Sequence, residues 1–220
     1  MRHYLDSLEA ALTEMGVPAK PMITKSNGGV MSADMAKVEC AQALLSGTAS
    51  GVIGAARIAR ECGAGDTLSL DVGGTSADVA LILGGDPQYG VGELIGEFPI
   101  YVPTVSVSSI GEGGGSIAWV DDFGVLKVGP ESAGSTPGPA CYGRGGTRPT
   151  ITDAFVVCGF LGHGALGYSA VDVDVMAARQ AVDGLARQLG RGVEATGEAI
   201  IQVALSGMYL EVSKLLSRAG

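Results

Sequence analysis

The sequence predicts an α/β domain with a strand-rich, glycine-rich middle and helices at both ends. Alternating apolar runs between residues 64 and 160 favour short strands. Half of the 36 glycines fall between Gly73 and Gly146, where they favour tight turns between those strands. These composition shifts predict three segments: a helix-and-strand lead-in over 1–63, a strand- and glycine-rich core over 64–160 and a helical segment over 161–220.

The first segment contains two longer predicted helices. Apolar side chains recur at helical spacing at Leu5, Leu8, Leu12 and Met15, and the Gly16–Pro18 run ends that helix. A second helix is predicted from Ser46 to about Glu61. Its small residues are expected to pack closely against a sheet: Gly51, Gly54, Ala55 and Ala56.

The core segment begins with a predicted hairpin. Thr67–Val72 and Ala77–Leu83 are its two strands, and Gly73-Gly74-Thr75 turns the chain between them. The irregular stretch from Pro130 to Pro149 is predicted to be an ordered loop. Further strands are predicted at Glu97–Val102, Thr104–Ile110, Ser116–Val120 and Val125–Val128.

The last segment is predicted to contain two amphipathic helices. One covers Val175–Leu189. The other presents an apolar stripe from Ile201 to Leu215 that is suited to burial against another lobe or a partner chain.

Composition excludes several classes of protein. A net charge of −9 argues against a broad nucleic-acid footprint, which needs clustered Lys and Arg, but not against one nucleotide held by backbone N–H groups. The four cysteines form no C-x-x-C pair, so buried reduced thiols are expected rather than disulfides or zinc. No leader and no membrane-spanning apolar run is recognised, and a cytoplasmic protein is expected.

The strongest chemical candidate is the run Asp71-Val72-Gly73-Gly74-Thr75-Ser76-Ala77-Asp78. Consecutive glycines expose backbone N–H groups to an anion, and Thr75 and Ser76 add hydroxyl donors. Asp71 is predicted to bind a magnesium ion or its waters, and Asp78 to orient the loop or a water. The alternative is an ordinary Gly-Gly hairpin with surface acids. No P-loop is present, and Gly111–Ser116 fits a dinucleotide fingerprint poorly because it leads into a strand.

Several runs together resemble the central segment of the hydantoinase A/5-oxoprolinase family, within the actin-like ATPase superfamily. They occur in the order that the family has them, over about residues 22–160. The matching runs are Ser26–Met31, Asp71–Asp78, Ile110–Ala118, Val128–Gly134, Pro137–Gly146 and Pro149–Ala154.

The resemblance implies a ribonuclease-H-like, actin-like ATPase lobe with a mixed sheet, and an ATP-dependent hydrolase of cyclic amides or hydantoins that uses ATP and Mg²⁺. ATP is expected to activate a ring carbonyl by phosphorylation, which asks the protein mainly for positioning and charge neutralisation. Asp71, Asp78 and Asp153 are then the expected catalytic residues, with Asp71 on the metal. The expected nucleotide-binding residues are Gly73, Gly74, Thr75, Ser76, Gly113, Gly114, Gly115 and Arg144.

Three departures from the family pattern matter. The run Ser46–Gly51 replaces a Ser-Gly-Pro-Ala-Gly-Gly-like run, and Glu112 stands where Ala is usual. An extra negative charge beside phosphates weakens anion binding, so Glu112 either points away or alters the site. The family's earlier hairpin and later adenosine loop are not found, so the chain is expected to hold one lobe that needs a missing N-terminal lobe or partner subunit, in an oligomer.

Other residues have open alternatives. Arg144 could contact a phosphate or be solvated at the surface, and Cys141 lacks a histidine near it in sequence to act as a base. Asp153 is expected to be the N-cap of a following helical turn as well as a cleft residue. The sequence leaves three other functions open: a catalytically incompetent fragment or assembly subunit that binds a partner lobe, an acetone-carboxylase-like subunit, and a relative of sugar and acetate kinases.

Overall fold

The computed structural model describes residues 1–90, 93–95, 98–162, 165–166 and 171–219. They fall into two compact units, each built from two stretches of the chain. Unit 1 comprises Met1–Ser69 and Ala80–Val107, and unit 2 comprises Leu70–Val79 and Ser108–Gly220. The α/β class predicted from the sequence is confirmed. The division into segments 1–63, 64–160 and 161–220 stays a prediction.

Six α-helices and fourteen short strands are found within those residues. The helices are α1 Arg2–Glu14, α2 Ala33–Val38, α3 Ser46–Glu61, α4 Ile151–Val157, α5 Val175–Leu189 and α6 Val193–Ala219. The strands up to the middle of the chain are β1 Met22–Thr24, β2 Val30–Ser32, β3 Thr67–Val72, β4 Ala77–Leu83, β5 Asp86–Pro87, β6 Tyr89–Gly90 and β7 Glu93–Ile95. The later strands are β8 Phe98–Ile100, β9 Thr104–Val105, β10 Ser108–Ile110, β11 Ser116–Val120, β12 Leu126–Ser132, β13 Ala165–Leu166 and β14 Val171–Asp172.

The core of unit 1 forms where α3 packs against strand residues. The buried face of α3 consists of Ala49, Val52, Ala56 and Ala59, and three of these join Ala80, Ile82 and Val105 in one apolar cluster. The predicted packing face of α3 was therefore wrong in part. Gly51 and Gly54 are exposed, and a Cβ at either would meet no atom within 4 Å.

The core of unit 2 is formed by α4, α5 and α6 together with the antiparallel pair β11–β12. Val182 and Ile200 are fully buried at its centre, beside Leu185 and Ala154. Complete burial of a Val, Ile or Leu side chain contributes about 1.5–3 kcal/mol each, so these contacts hold the three helices together.

Helix α6 is buried on a face that differs from the predicted stripe. Ile201 is buried as expected, but Leu205 is 50% exposed, and the deepest positions are Thr196 and Ile200. The stretch Val193–Ser217 also has the length and apolar composition of a membrane span, which the sequence analysis did not recognise. A helix in the core of a soluble protein can have the same length and apolar composition, so this property does not show whether α6 crosses a membrane.

The boundaries of several predicted strands change in the structure. The strand predicted over Thr104–Ile110 is two strands, β9 and β10. The strand predicted to end at Val128 continues to Ser132. In the predicted strand Glu97–Val102, residue 97 lies outside the described residues, and β8 covers Phe98–Ile100.

The cysteines are free thiols, as predicted, but they are not all buried. Cys141 is buried and Cys158 is half-buried, whereas Cys40 and Cys62 are exposed. The expectation of burial was wrong for those two because each lies at a helix boundary, Cys40 opening a 3₁₀ turn after α2 and Cys62 capping α3.

Candidate functional site

The predicted hairpin forms the centre of the site in unit 2. Strands β3 and β4 are joined by residues 73–76, and the Gly73 N–H donates to the Ser76 carbonyl at 2.8 Å. Gly73, Gly74 and Thr75 are exposed. The N–H groups of Gly74, Thr75 and Ser76 have no backbone hydrogen-bond partner among the residues that the structure describes. The turn therefore offers backbone donors to an anion, as the sequence predicts.

The second glycine run packs directly on this turn. The Gly114 N–H donates to the Gly73 carbonyl at 2.9 Å, and the Gly115 N–H donates to the Gly74 carbonyl at 2.6 Å. A Cβ at Gly113 would lie 2.5 Å from the backbone nitrogen of Ser76. These three residues were predicted to bind nucleotide, but two of their N–H groups are used to hold the turn. Glycine is required here because two backbones approach each other.

A cavity of about 790 Å³ opens beside the turn, within unit 2. The turn supplies its polar part, and apolar side chains of α4 and α6 supply much of the rest. Its lining residues are Leu70, Val72, Gly73, Gly74, Thr75, Gly114, Gly115, Gly134, Ser135, Pro139, Tyr142, Ile151, Thr152, Phe155, Ile201, Ala204, Leu205 and Met208. Its size lies within the usual range of small-molecule pockets.

The two flanking acids do not line this cavity. Leu70 and Val72 do, and since side chains alternate along a strand, Asp71 lies on the opposite face of β3, where it is exposed. Asp78 is half-buried in β4, opposite Ser109 of β10. The structure thus brings Gly73, Gly74 and Thr75 to the cavity and leaves Asp71 on the other side of the same strand.

The described residues contain no cluster of three or more His, Cys, Asp or Glu side chains suited to a metal. Magnesium usually keeps several waters and takes one or two carboxylates, so it does not need such a cluster. The exposed Asp71 carboxylate fits this mode of binding, and the magnesium assignment stays a prediction.

Asp153 is fully buried and holds the loop before α4. Its carboxylate accepts hydrogen bonds from the N–H groups of Ala140 at 3.2 Å, Cys141 at 2.8 Å and Thr150 at 2.9 Å, and from the Thr150 hydroxyl at 2.8 Å. Thr150, not Asp153, is the N-cap of α4, and Asp153 completes a capping box with it. This geometry gives Asp153 a structural role, away from the cavity lining.

Arg144 and Cys141 lie outside the cavity lining, and the phosphate contact of Arg144 stays a prediction. The Arg144 guanidinium lies 5.9 Å from the centroid of the Tyr142 ring, a cation–π contact, and Arg144 itself is exposed outside the cavity lining. Burial, with the nearby Asp153 carboxylate, raises the pKa of the Cys141 thiol far above its ordinary value. A thiol held in this state is a poor nucleophile.

Glu112 points away from the turn and packs against α6. A Cβ at Gly207 would collide with the Glu112 carboxylate, so the two are in direct contact. One carboxylate oxygen, Oε2, is buried with no hydrogen-bond partner among the described residues. Burial raises the pKa of the Glu112 carboxyl, with a hydrogen bond from the Met208 backbone acting in the opposite direction.

The sequence analysis missed two contributors to the site. Thr152 donates to the Gly114 carbonyl from both its N–H and its hydroxyl, and the Phe155 ring lines the cavity. The pattern Thr150-x-x-Asp153 is a capping-box signature and would have placed the start of α4 correctly. No sequence signal indicates that Thr152 contacts Gly114.

Comparison with known proteins identifies the family. The sequence model of the hydantoinase/oxoprolinase family matches residues 1–220. The chain is 35% identical to the caprolactamase subunit alpha of Pseudomonas jessenii over 221 residues, which cover 100% of the chain and 32% of that protein. It is 37% identical to a 5-oxoprolinase of Pestalotiopsis fici over 165 residues, 73% of the chain and 12% of that protein.

A solved structure agrees with this assignment. The nucleotide-free acetone carboxylase structure, from work on ATP-dependent acetone carboxylation, superposes with a TM-score of 0.89 at 30% identity, covering 100% of the chain and 31% of that protein. The chain therefore spans about a third, or less, of the length of these relatives. With a family match over its full length, the chain belongs to the hydantoinase/oxoprolinase family.

Proposed function

We propose that the chain is the nucleotide-binding segment of an ATP-dependent hydrolase that acts on cyclic amides. The observation that carries the proposal is the turn at residues 73–76, where the N–H groups of Gly74, Thr75 and Ser76 have no backbone hydrogen-bond partner among the described residues and can donate to phosphate oxygens. The caprolactamase and 5-oxoprolinase relatives are named for lactam substrates, and the caprolactamase structure is described as ATP-dependent.

The residues of the turn fit a phosphate group sterically. A Cβ added at Gly74 would meet no atom within 4 Å, so the space in front of the turn is open. The neighbouring run at Gly113–Gly115 holds the turn in place through two backbone hydrogen bonds. A preorganised set of donors stabilises charge without reorganising during the reaction, which is the main demand of phosphoryl transfer.

In this proposal the acids have separate tasks. Asp71, exposed at the end of β3, would bind magnesium through one carboxylate and its waters. Asp78 would orient the loop or a water near the phosphates. ATP would transfer its γ-phosphoryl group to the amide oxygen of the ring and leave as ADP. Water would then add to the activated ring carbon, the C–N bond of the ring would break, and inorganic phosphate would leave. Asp153 is left out because its carboxylate is occupied by four hydrogen bonds.

Calorimetric titration of Mg-ATP tests this proposal. Because the chain spans about a third of its relatives, we expect weak binding by the chain alone. Asp71→Ala should remove the magnesium-dependent part of the affinity. Gly74→Ala should fold normally, since its methyl group meets no protein atom, and yet obstruct the phosphates. Asp122→Ala, an exposed acid in the turn before β12, is the matched control and should bind like wild type.

The proposal fails if Gly74→Ala and Asp71→Ala both bind Mg-ATP as the wild type does. Tight binding with full turnover by this chain alone would contradict the expectation that the site is completed by another lobe.

A second candidate function, assembly with a partner lobe or subunit, is favoured by the outer surface of α6. Leu205 is 50%, Leu210 56% and Tyr209 75% exposed, although all three are large apolar or aromatic side chains. The caprolactamase relative is itself named as a subunit. An adjoining reading frame that encodes another Asp-Gly-Gly-Thr hairpin would favour an enzyme whose two lobes are separate chains. Acetone-carboxylase-like chemistry is the remaining alternative, since the solved acetone carboxylase shares the fold.

A further inference from the structure

Gly114 is tied to two different elements of unit 2 by its own peptide groups. Its carbonyl oxygen accepts two hydrogen bonds from Thr152, from the N–H at 2.9 Å and from the hydroxyl at 2.8 Å. Its N–H donates to the Gly73 carbonyl at 2.9 Å. A continuous chain of hydrogen bonds therefore runs from the first turn of α4 through Gly114 to the exposed turn.

Thr152 lies at the α4 end of this series of hydrogen bonds. It is the second residue of α4 and lies between Thr150 and Asp153, the two residues of the buried capping box. Its side chain is buried, and a Cβ at Gly114 would lie 2.8 Å from the Thr152 hydroxyl oxygen. Because Gly114 and the Thr152 hydroxyl are this close, a displacement of Thr152 should also displace Gly114 and its neighbours Gly113 and Gly115.

The next residue of the run transmits the same constraint. The Gly115 N–H donates to the Gly74 carbonyl at 2.6 Å, and a Cβ at Gly115 would lie 2.7 Å from that oxygen. The peptides on both sides of Gly74 are therefore oriented by groups behind the turn. Orienting a peptide by its carbonyl also orients the N–H of the following residue, because the peptide group is planar.

We propose that Thr152 is a positioning residue for the phosphate-binding turn, which it orients through the hydrogen bond from its hydroxyl to the Gly114 carbonyl. The proposal rests on the function proposed above, since it assigns the turn to phosphate. Gly74, Thr75 and Ser76 make the contact with phosphate, and the Thr152 hydroxyl, acting through Gly114 and Gly115, fixes the direction in which the N–H groups of Gly74 and Thr75 point.

Three variants separate this role from a general effect on folding. Thr152→Val keeps the shape and the backbone hydrogen bond but removes the hydroxyl. Thr152→Ser restores the hydroxyl. Thr196→Val is the matched control, because Thr196 is also fully buried in unit 2 and its hydroxyl donates to the carbonyl of Gly192, the residue before α6, at 2.9 Å.

Two measurements are made on each variant of the full chain. Amide hydrogen exchange by NMR follows Gly114 and Gly115, whose N–H groups bond to the turn. Calorimetry follows Mg-ATP affinity. Thr152→Val should accelerate exchange at both amides and weaken Mg-ATP binding by about three- to tenfold, the effect of one lost hydrogen bond. Thr152→Ser should restore both readouts, and Thr196→Val should change neither.

The outcomes distinguish this inference from the proposed function. Wild-type exchange at Gly114 and Gly115 in Thr152→Val would overturn the positioning role, whatever the nucleotide result. Faster exchange with unchanged Mg-ATP affinity would also overturn it. If the wild type bound no Mg-ATP at all, the proposed function would fail, and the exchange measurements would still decide whether Thr152 orients the turn.

Discussion

The contact between the two glycine runs can be tested by adding one methyl group. In Gly113→Ala the new Cβ would lie 2.5 Å from the Ser76 nitrogen and the Thr75 carbonyl carbon, and 2.7 Å from the Thr75 nitrogen. The backbone of Gly113 lies outside the left-handed region, so steric overlap is the whole effect. Every atom that the methyl group meets belongs to the backbone, and no flexible side chain can move aside.

The magnitude follows from this overlap. To reach an ordinary contact near 3.4 Å, the turn must retreat by about 0.9 Å, which lengthens the hydrogen bonds behind it. Overpacking of this kind costs about 1–3 kcal/mol. For a chain of this size, that cost lowers the midpoint of thermal unfolding by roughly 2–12 °C.

The assay uses the single tryptophan as a reporter. Trp119 lies on β11 of unit 2, and its indole N–H donates to the Gly129 carbonyl at 2.9 Å. Its fluorescence during thermal or urea unfolding therefore follows the unit that contains the turn. Gly184→Ala on α5 is the matched control, because its methyl group meets nothing within 4 Å. This control should be neutral or stabilising by up to about 1 kcal/mol.

The reasoning is refuted if Gly113→Ala unfolds at the same midpoint as wild type while Gly184→Ala behaves as expected. That result would mean that the two runs are not in backbone contact, and that the glycines at 113–115 need another explanation.

Three further predictions concern buried polar and thiol groups. Burial raises the pKa of the Glu112 carboxyl above 4.5 in the folded state, so the free energy of unfolding of the wild type should fall as the pH rises from about 4.5 through that folded pKa. Glu112→Gln should abolish this fall when urea unfolding is measured across pH, and the same dependence of the free energy of unfolding on pH in both proteins would contradict the prediction. Asp153→Asn leaves at least one buried N–H donor without an acceptor and should lower the free energy of unfolding by at least about 1–3 kcal/mol in the same assay. An unchanged free energy of unfolding would show that the Asp153 carboxylate does not hold these N–H groups. A disulfide reagent should react rapidly with Cys40 and Cys62 in the native protein and with Cys141 only after unfolding, as peptide mapping of the labelled sites would show.

Much of the local structure follows from the sequence. The predicted bounds of α3, α5, β3 and β4 agree with the structure, because each has a clear apolar period and is ended by glycine, proline or a cap. The hairpin turn was found because adjacent glycines between two strands leave few other conformations. Family membership also followed from the order of short motifs, and the comparison confirms it.

The sequence alone was less reliable about which face of an element is buried. In α3 the predicted packing face is confirmed at Ala56, which is buried, but Gly51 and Gly54 are exposed, and the rest of the buried face is Ala49, Val52 and Ala59. Small residues permit close packing without requiring it, and the partner surface decides which side is covered.

What the sequence by itself determined is the turn: two glycines, two hydroxyl residues and two acids at fixed spacing, with backbone donors available to an anion. Only the tertiary structure decided that the second glycine run supports this turn from behind, that Thr152 holds that run, and that the buried Asp153 carboxylate also binds the N–H groups of Ala140 and Cys141. These facts depend on contacts between residues about 40 positions apart, as between Gly73 and Gly114. Local propensity carries no information about such contacts, because they form only when the packed helices and strands bring the two backbones together.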